Sequence, residues 1–187
     1  MALMATTRRA GADRWNVRTA FTLVELLAAV AIVGLLVAVA VPAMNGVRER
    51  AMASKCLSNL RQIGAGLTAY LADHDQQMPV LEAGRASRTA DGDTIDTVLL
   101  DYVGSEAAFA CPADSRYARE TGTSYYWNVT LNGQRVTSLN FLGIEEAHTR
   151  IPVISDKEGW HPGDRTKVNI LYADGHAGKG LTLTTGN

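Results

Sequence analysis

The sequence predicts an α+β fold: a long N-terminal helix, membrane-spanning in its first half, packed in its second half on a small antiparallel sheet. Three observations carry this. Residues 21–44 form an apolar run with one charge. Residues 52–71 carry an apolar stripe at helical spacing. Four strand-like segments follow, the last two joined by Asp174-Gly175.

The first element is a basic leader. Residues 1–20 hold Arg8, Arg9, Arg14 and Arg18 against Asp13 alone. Positive flanks stay in the cytoplasm, which predicts an N-terminus inside and everything after Met44 outside. The run from Phe21 to Met44 is 24 residues long, and Glu25 is its only charge. About 20 apolar residues cross a hydrocarbon core of ~30 Å, so the run is long enough to span. An acid at the middle of such a segment costs roughly 2.5–3.5 kcal/mol, and less near its end. A secretory signal is one competing reading, since Ala38-Val39-Ala40 is an A-x-A site, but such signals have shorter apolar cores. A plain signal anchor explains the length and not Glu25.

The helix is expected to continue into water at Arg48, Glu49 and Arg50, reaching about Asp73 over ~80 Å. Met52, Cys56, Leu60, Ile63, Leu67 and Leu71 recur every three or four residues, while Lys55, Arg61 and Gln62 fall off the stripe. Gly46, Gly64 and Gly66 each weaken a helix by up to ~1 kcal/mol, and Gly46 near Pro42 marks an expected kink or point of local melting. Residues 83–94 and 157–166 read as surface loops, and 94–103 as a short helix presenting Ile95, Val98, Leu99 and Tyr102. The expected strands are 124–129, 151–155 with Pro152 near its start, 168–173 and 176–183. Asp174-Gly175 is the hairpin signal between the last two.

Composition bounds the rest. The chain of 187 residues has net charge −1; without the leader, 14 basic and 18 acidic residues leave the remainder near −4. No basic tract suggests nucleic-acid binding. The 143 residues after Met44 suffice for one modest domain. The expected organisation is therefore a leader over 1–20, a transmembrane or assembly helix over 21–44, and an extracytoplasmic domain over 45–187.

Ala20-Phe21-Thr22-Leu23-Val24-Glu25 resembles the type IV prepilin N-terminus. In that family a peptidase cuts before Phe and methylates the new N-terminus, and the fifth mature residue is Glu. The match puts the cleavage and methylation point at Ala20 and Phe21, and assembly roles at Glu25 and Pro42, the latter 22nd in the mature chain. The departure is Ala20, where Gly is usual. Cleavage would create an α-amino group, largely protonated near neutrality, for which Glu25 is a natural partner in a low dielectric. The resemblance implies a pilin-like fold and a subunit of a type IV pilus-like or type II secretion pseudopilus filament. Its implied partners are the prepilin peptidase/methyltransferase, other pilin-like subunits and an inner-membrane assembly platform. Its implied location is the inner membrane, single-pass, with the C-terminal domain outside.

The globular part resembles pilin-like proteins with a C-terminal His-x9-Asp-Gly processing-associated domain. The resemblance lies in 55–64, Cys111-Pro112-Ala113-Asp114, Ser124-Tyr125 with Asn128, and 169–176. The family motif falls on His161, Asp174 and Gly175, with 12 intervening residues instead of nine; an insertion at Asp164-Arg165-Thr166 would account for it.

Candidate chemistry is sparse. His161, Asp164, Asp174 and His176 would be a metal or acid–base site if they converged, but Asp174 suits a tight turn and His176 an exposed strand. Asp91, Asp93 and Asp96 can supply oxygens to calcium, as in some secretion pseudopilins, yet match no complete loop signature and read as solvated acids. No cofactor, metal or enzymatic activity is expected. Cys56 and Cys111 have two readings: a disulfide closing about 56 residues, worth ~4 kcal/mol on the chain-entropy model, or two buried core residues. The rival to a filament subunit is a secreted or anchored binding module that never polymerises.

Overall fold

The computed structural model describes residues 21–145, 147–161 and 168–180. The described chain divides into two units at Pro42/Ala43. Helix α1, Leu23–Asp73, belongs to both. It is unbroken through Pro42 and Gly46, so the local melting expected there is absent.

In the first unit α1 is a solitary apolar helix. From Phe21 to Val41 every side chain is exposed, because apolar residues occupy all faces and nothing in the unit covers them.

In the second unit α1 is amphipathic, as its sequence dictates. Ala53, Cys56, Leu60, Ile63, Leu67 and Leu71 are buried in one continuous core, and Met52 is half-buried at its margin. The sheet beneath has four antiparallel strands: β1 (Tyr125–Trp127), β4 (Pro152–Asp156), β5 (Asn169–Tyr172) and β6 (Ala177–Lys179), in the order β1-β4-β5-β6. The pairing of β4 with β5 shifts register between Pro152 and Ile154, where a proline cannot supply a ladder N–H. All four residues of β5 are buried, as befits a central strand. Gly175 closes the β5–β6 turn at φ 85°, a conformation that glycine adopts without strain.

Two glycines on α1 have a packing role that propensity alone hides. A Cβ on Gly64 would lie 2.9 Å from Leu171 Cδ1, and one on Gly66 would lie 2.5 Å from Val103 Cγ2 and 3.2 Å from the Val103 nitrogen. Their missing side chains let α1 approach β5 and residue 103 closely.

The remaining elements depart from expectation in detail. The helix expected over 94–103 is two turns, α2 (Ile95–Val98) and α3 (Leu100–Val103), ending at Gly104 with φ 71°. Ile95, Leu99 and Val103 are buried, whereas Val98 and Tyr102 are only half-covered. Helix α4 (Tyr117–Thr121) was not foreseen, since 112–123 lacks apolar periodicity. It is nucleated by Asp114, whose carboxylate accepts the N–H groups of Arg116, Tyr117 and Ala118 at 2.7–2.8 Å. A two-stranded hairpin, β2 (Asn140–Phe141) and β3 (Ile144–Glu145), was also missed. Its turn places Leu142 at φ 51°, which the usual Asn-Gly signal does not announce.

Candidate functional site

The N-terminal site begins at Phe21, the first described residue; Ala20 and the basic leader lie outside the described residues. The first turn of α1 is organised by Thr22 and Glu25. The Glu25 Oε2 accepts from the Thr22 N–H and from its hydroxyl, both at 2.9 Å, while the Glu25 N–H donates to Thr22 Oγ1 at 3.2 Å. This is a capping box: residue and partner three apart satisfy each other's orphan donors. Glu25 therefore has a local partner before any cleavage. The signal, Thr-x-x-Glu ahead of an apolar run, was present in the sequence and was passed over. Beyond it, α1 is long and apolar enough to cross a membrane. Pro42 lies within α1, at the end of the first unit.

A second site lies inside the globular unit. Cys56 on α1, Cys111 after a 3-10 turn (Glu106–Phe109), Asp156 at the end of β4 and His161 beyond it converge in the core. All four are at most 4% exposed. Cys56 and Cys111 are free thiols, and their sulfurs and a His161 ring nitrogen all lie within 4.8 Å of one another. Cys111 Sγ is 3.2 Å from His161 Nε2; Cys56 Sγ is 3.4 Å from Asp156 Oδ1 and 3.3 Å from the Tyr125 hydroxyl. His161 Nε2 lies 3.6 Å from Asp156 Oδ2.

Local interactions fix each member. The backbone N–H of Cys111 donates to Ser124 Oγ at 2.8 Å, and that hydroxyl donates to Asp114 Oδ2 at 2.6 Å. Thus the Cys-Pro-Ala-Asp turn and the Ser-Tyr strand interlock. Asp156 Oδ2 accepts the Asn169 backbone N–H at 2.7 Å. Among the described residues, His161 Nδ1 and both side-chain polar atoms of Asn169 have no hydrogen-bond partner.

Burial and proximity polarise the cluster. A hydrogen bond from the Cys56 thiol, helped by His161 and the Ala113 N–H, outweighs burial and brings Cys111 down to about 5. Cys56 moves the other way, raised by that hydrogen bond, by burial and by Asp156. Burial lifts Asp156 to about 6. For His161 burial favours the neutral ring, but contact with Cys111 and Asp156 prevails and raises it. Tyr125 is pushed up chiefly by burial.

The other candidate residues do not join this cluster. Asp174 and His176 pair with each other at 2.5 Å on the exposed β5–β6 turn, so they do not converge with buried His161; Asp164 lies outside the described residues. Asp91 and Asp93 are exposed, whereas Asp96 is no solvated acid: it forms a largely buried ion pair with Arg85. These three acids make no group of metal-ligating atoms among the described residues. Asp96, unlike Asp91 and Asp93, lines a cleft of about 580 Å³ together with Arg85, Arg88, Arg119 and Glu106. Arg88 in turn pairs with Glu106 at 3.0 Å.

Residues 15–41 match the family model of the prokaryotic N-terminal methylation motif. No curated protein and no solved structure matches the chain significantly. The match supports a pilin-like chain, and the long helix with a small antiparallel sheet fits a pilin-like α+β arrangement; among the described residues one helix, N-terminal and apolar, is suited to membrane anchoring. The motif implies processing by prepilin peptidase and assembly with other pilin subunits, and points to a structural subunit rather than an enzyme.

Proposed function

We propose that this chain is a structural subunit of a type IV pilus-like or type II secretion pseudopilus filament. The carrying observation is the coincidence of the methylation motif over 15–41 with a helix whose apolar side chains are exposed on every face from 21 to 41. Such a surface needs lipid or other subunits to cover it. In this reading, cleavage falls between Ala20 and Phe21, and the new α-amino group is methylated. The N-terminus faces the cytoplasm and the globular unit lies outside the inner membrane until an assembly platform extracts the subunit.

The capping box refines the role of Glu25. Its carboxylate stays hydrogen-bonded to Thr22 in the unassembled chain. On assembly the mature α-amino group of a neighbouring subunit supplies the counter-charge that a cap does not. Glu25→Gln separates the two duties, because Gln serves a capping box but carries no charge. The expected result is normal membrane insertion with filament assembly lost or reduced at least tenfold, read by shearing and immunoblotting. Normal filaments from the Gln variant would leave Glu25 as a cap only.

A further inference from the structure

We propose that Cys56, Cys111, His161 and Asp156 form a closed tetrahedral site for a divalent transition metal of the zinc type. This is independent of the filament reading, since it concerns the core of the globular unit alone.

The donor set selects the metal. Two sulfurs, an imidazole nitrogen and a carboxylate oxygen suit zinc and its borderline-soft neighbours, and not calcium or magnesium, which take oxygens. The spacing is near what such an ion needs. Bonds of ~2.3 Å to sulfur and ~2.0–2.2 Å to nitrogen and oxygen give tetrahedron edges of ~3.4–3.8 Å. The ligand atoms of Cys56, Cys111 and His161 all lie within 4.8 Å of one another, with 3.2 Å between Cys111 Sγ and His161 Nε2. Asp156 borders this triad through both oxygens, Oδ1 at 3.4 Å from Cys56 Sγ and Oδ2 at 3.6 Å from His161 Nε2, so a turn of its carboxylate supplies the fourth ligand.

The surroundings are those of ligands held in place. The Tyr125 hydroxyl meets the Cys56 sulfur, and the Ala113 N–H donates to the Cys111 sulfur. The Asn169 N–H occupies Asp156 Oδ2, leaving Oδ1 turned to Cys56. Such outer contacts orient ligands and stabilise thiolates. Burial completes the case. Two thiols, a carboxyl and an imidazole are buried together, where a dication compensates charge that is otherwise costly. A disulfide would use the two sulfurs and leave the carboxylate and imidazole without a task. On binding, any proton still held by a ligand sulfur passes to solvent and the sulfur keeps the electron pair. With four protein ligands and no open position the site is structural, tying α1 to the end of β4 and to the loops holding Cys111 and His161.

Cobalt(II) titration of the full chain in detergent, reduced and stripped with chelator, tests this. The expected result is one cobalt per chain with strong visible bands of a tetrahedral ion and a sulfur-to-cobalt charge-transfer band. One equivalent of zinc displaces them, and elemental analysis of the chain as isolated finds one zinc. Asp156→Asn, which keeps the shape of the side chain, shifts the visible bands and weakens binding. Absence of stoichiometric cobalt binding by the reduced wild-type chain would overturn the proposal. So would a chain isolated without zinc and two hydrogens lighter, with Cys56 and Cys111 joined, whatever its reduced form binds.

Discussion

The two halves of α1 solve opposite problems with the same backbone. In 23–41 Leu, Val, Ile and Ala occupy every face, and not one side chain is buried within the chain. In 53–71 the apolar residues are confined to a stripe, and the chain buries that stripe itself beneath a sheet. Glycines follow the same division. Gly34 has nothing within 4 Å of where its Cβ would be, whereas Gly64 and Gly66 mark close approaches of α1 to Leu171 and Val103. Whether a helical position matters for folding or for association is thus set by what covers it.

The largest expected contrast is between two leucines. Leu60 is fully buried, so Leu60→Ala should destabilise the globular unit by about 2–5 kcal/mol in chemical denaturation. Leu35 is 67% exposed, and Leu35→Ala should leave that transition unmoved while weakening retention in membranes. Equal losses of folding stability from both would break the comparison.

The glycines give the next contrast. Gly66→Ala gains ~1 kcal/mol of helix propensity but must displace Val103, backbone included, at an overpacking cost of ~1–3 kcal/mol. A net fall in melting temperature is expected. Gly34→Ala meets nothing and should lower no transition.

The smallest effect concerns acid stability. The Asp114 carboxyl is held below its ordinary range: burial opposes this, but the Ser124 hydroxyl and three backbone N–H groups prevail. A depressed carboxyl contributes its full stabilisation above the unfolded value near ~3.9 and loses it as pH falls through the lower folded value. Melting temperatures of the wild type should therefore drop as pH falls below about 4. Asp114→Asn, still able to accept capping hydrogen bonds, should show a shallower acid limb. Parallel acid limbs would remove Asp114 from the account.

Legibility in the sequence followed the range of the interaction. The apolar run, the helical stripe and the Asp174-Gly175 turn are local patterns, and the structure places all three where they were expected. Helix α4 escaped notice because its start is fixed by Asp114 and not by periodicity. The Thr22–Glu25 cap is local and readable as Thr-x-x-Glu ahead of an apolar run, its partner being a hydroxyl and not a charge. The Cys56–Cys111–Asp156–His161 cluster was out of reach, since its members lie on four separate segments with no motif spacing. His161 was paired in the sequence with Asp174, whereas the fold turns it inward toward Cys111 and Asp156. Tertiary packing brings the cluster together: α1 against the strands, and the Cys111 turn held by Ser124.

The central claim is that the exposed half of α1 begins a processed, assembling subunit. Intact-mass and N-terminal peptide analysis of the mature protein from its native membrane addresses it directly. The account predicts a chain that starts at Phe21 and carries one methyl group on its α-amino nitrogen. A chain that starts at Met1, or at Val41 after signal-peptide cleavage, would contradict it.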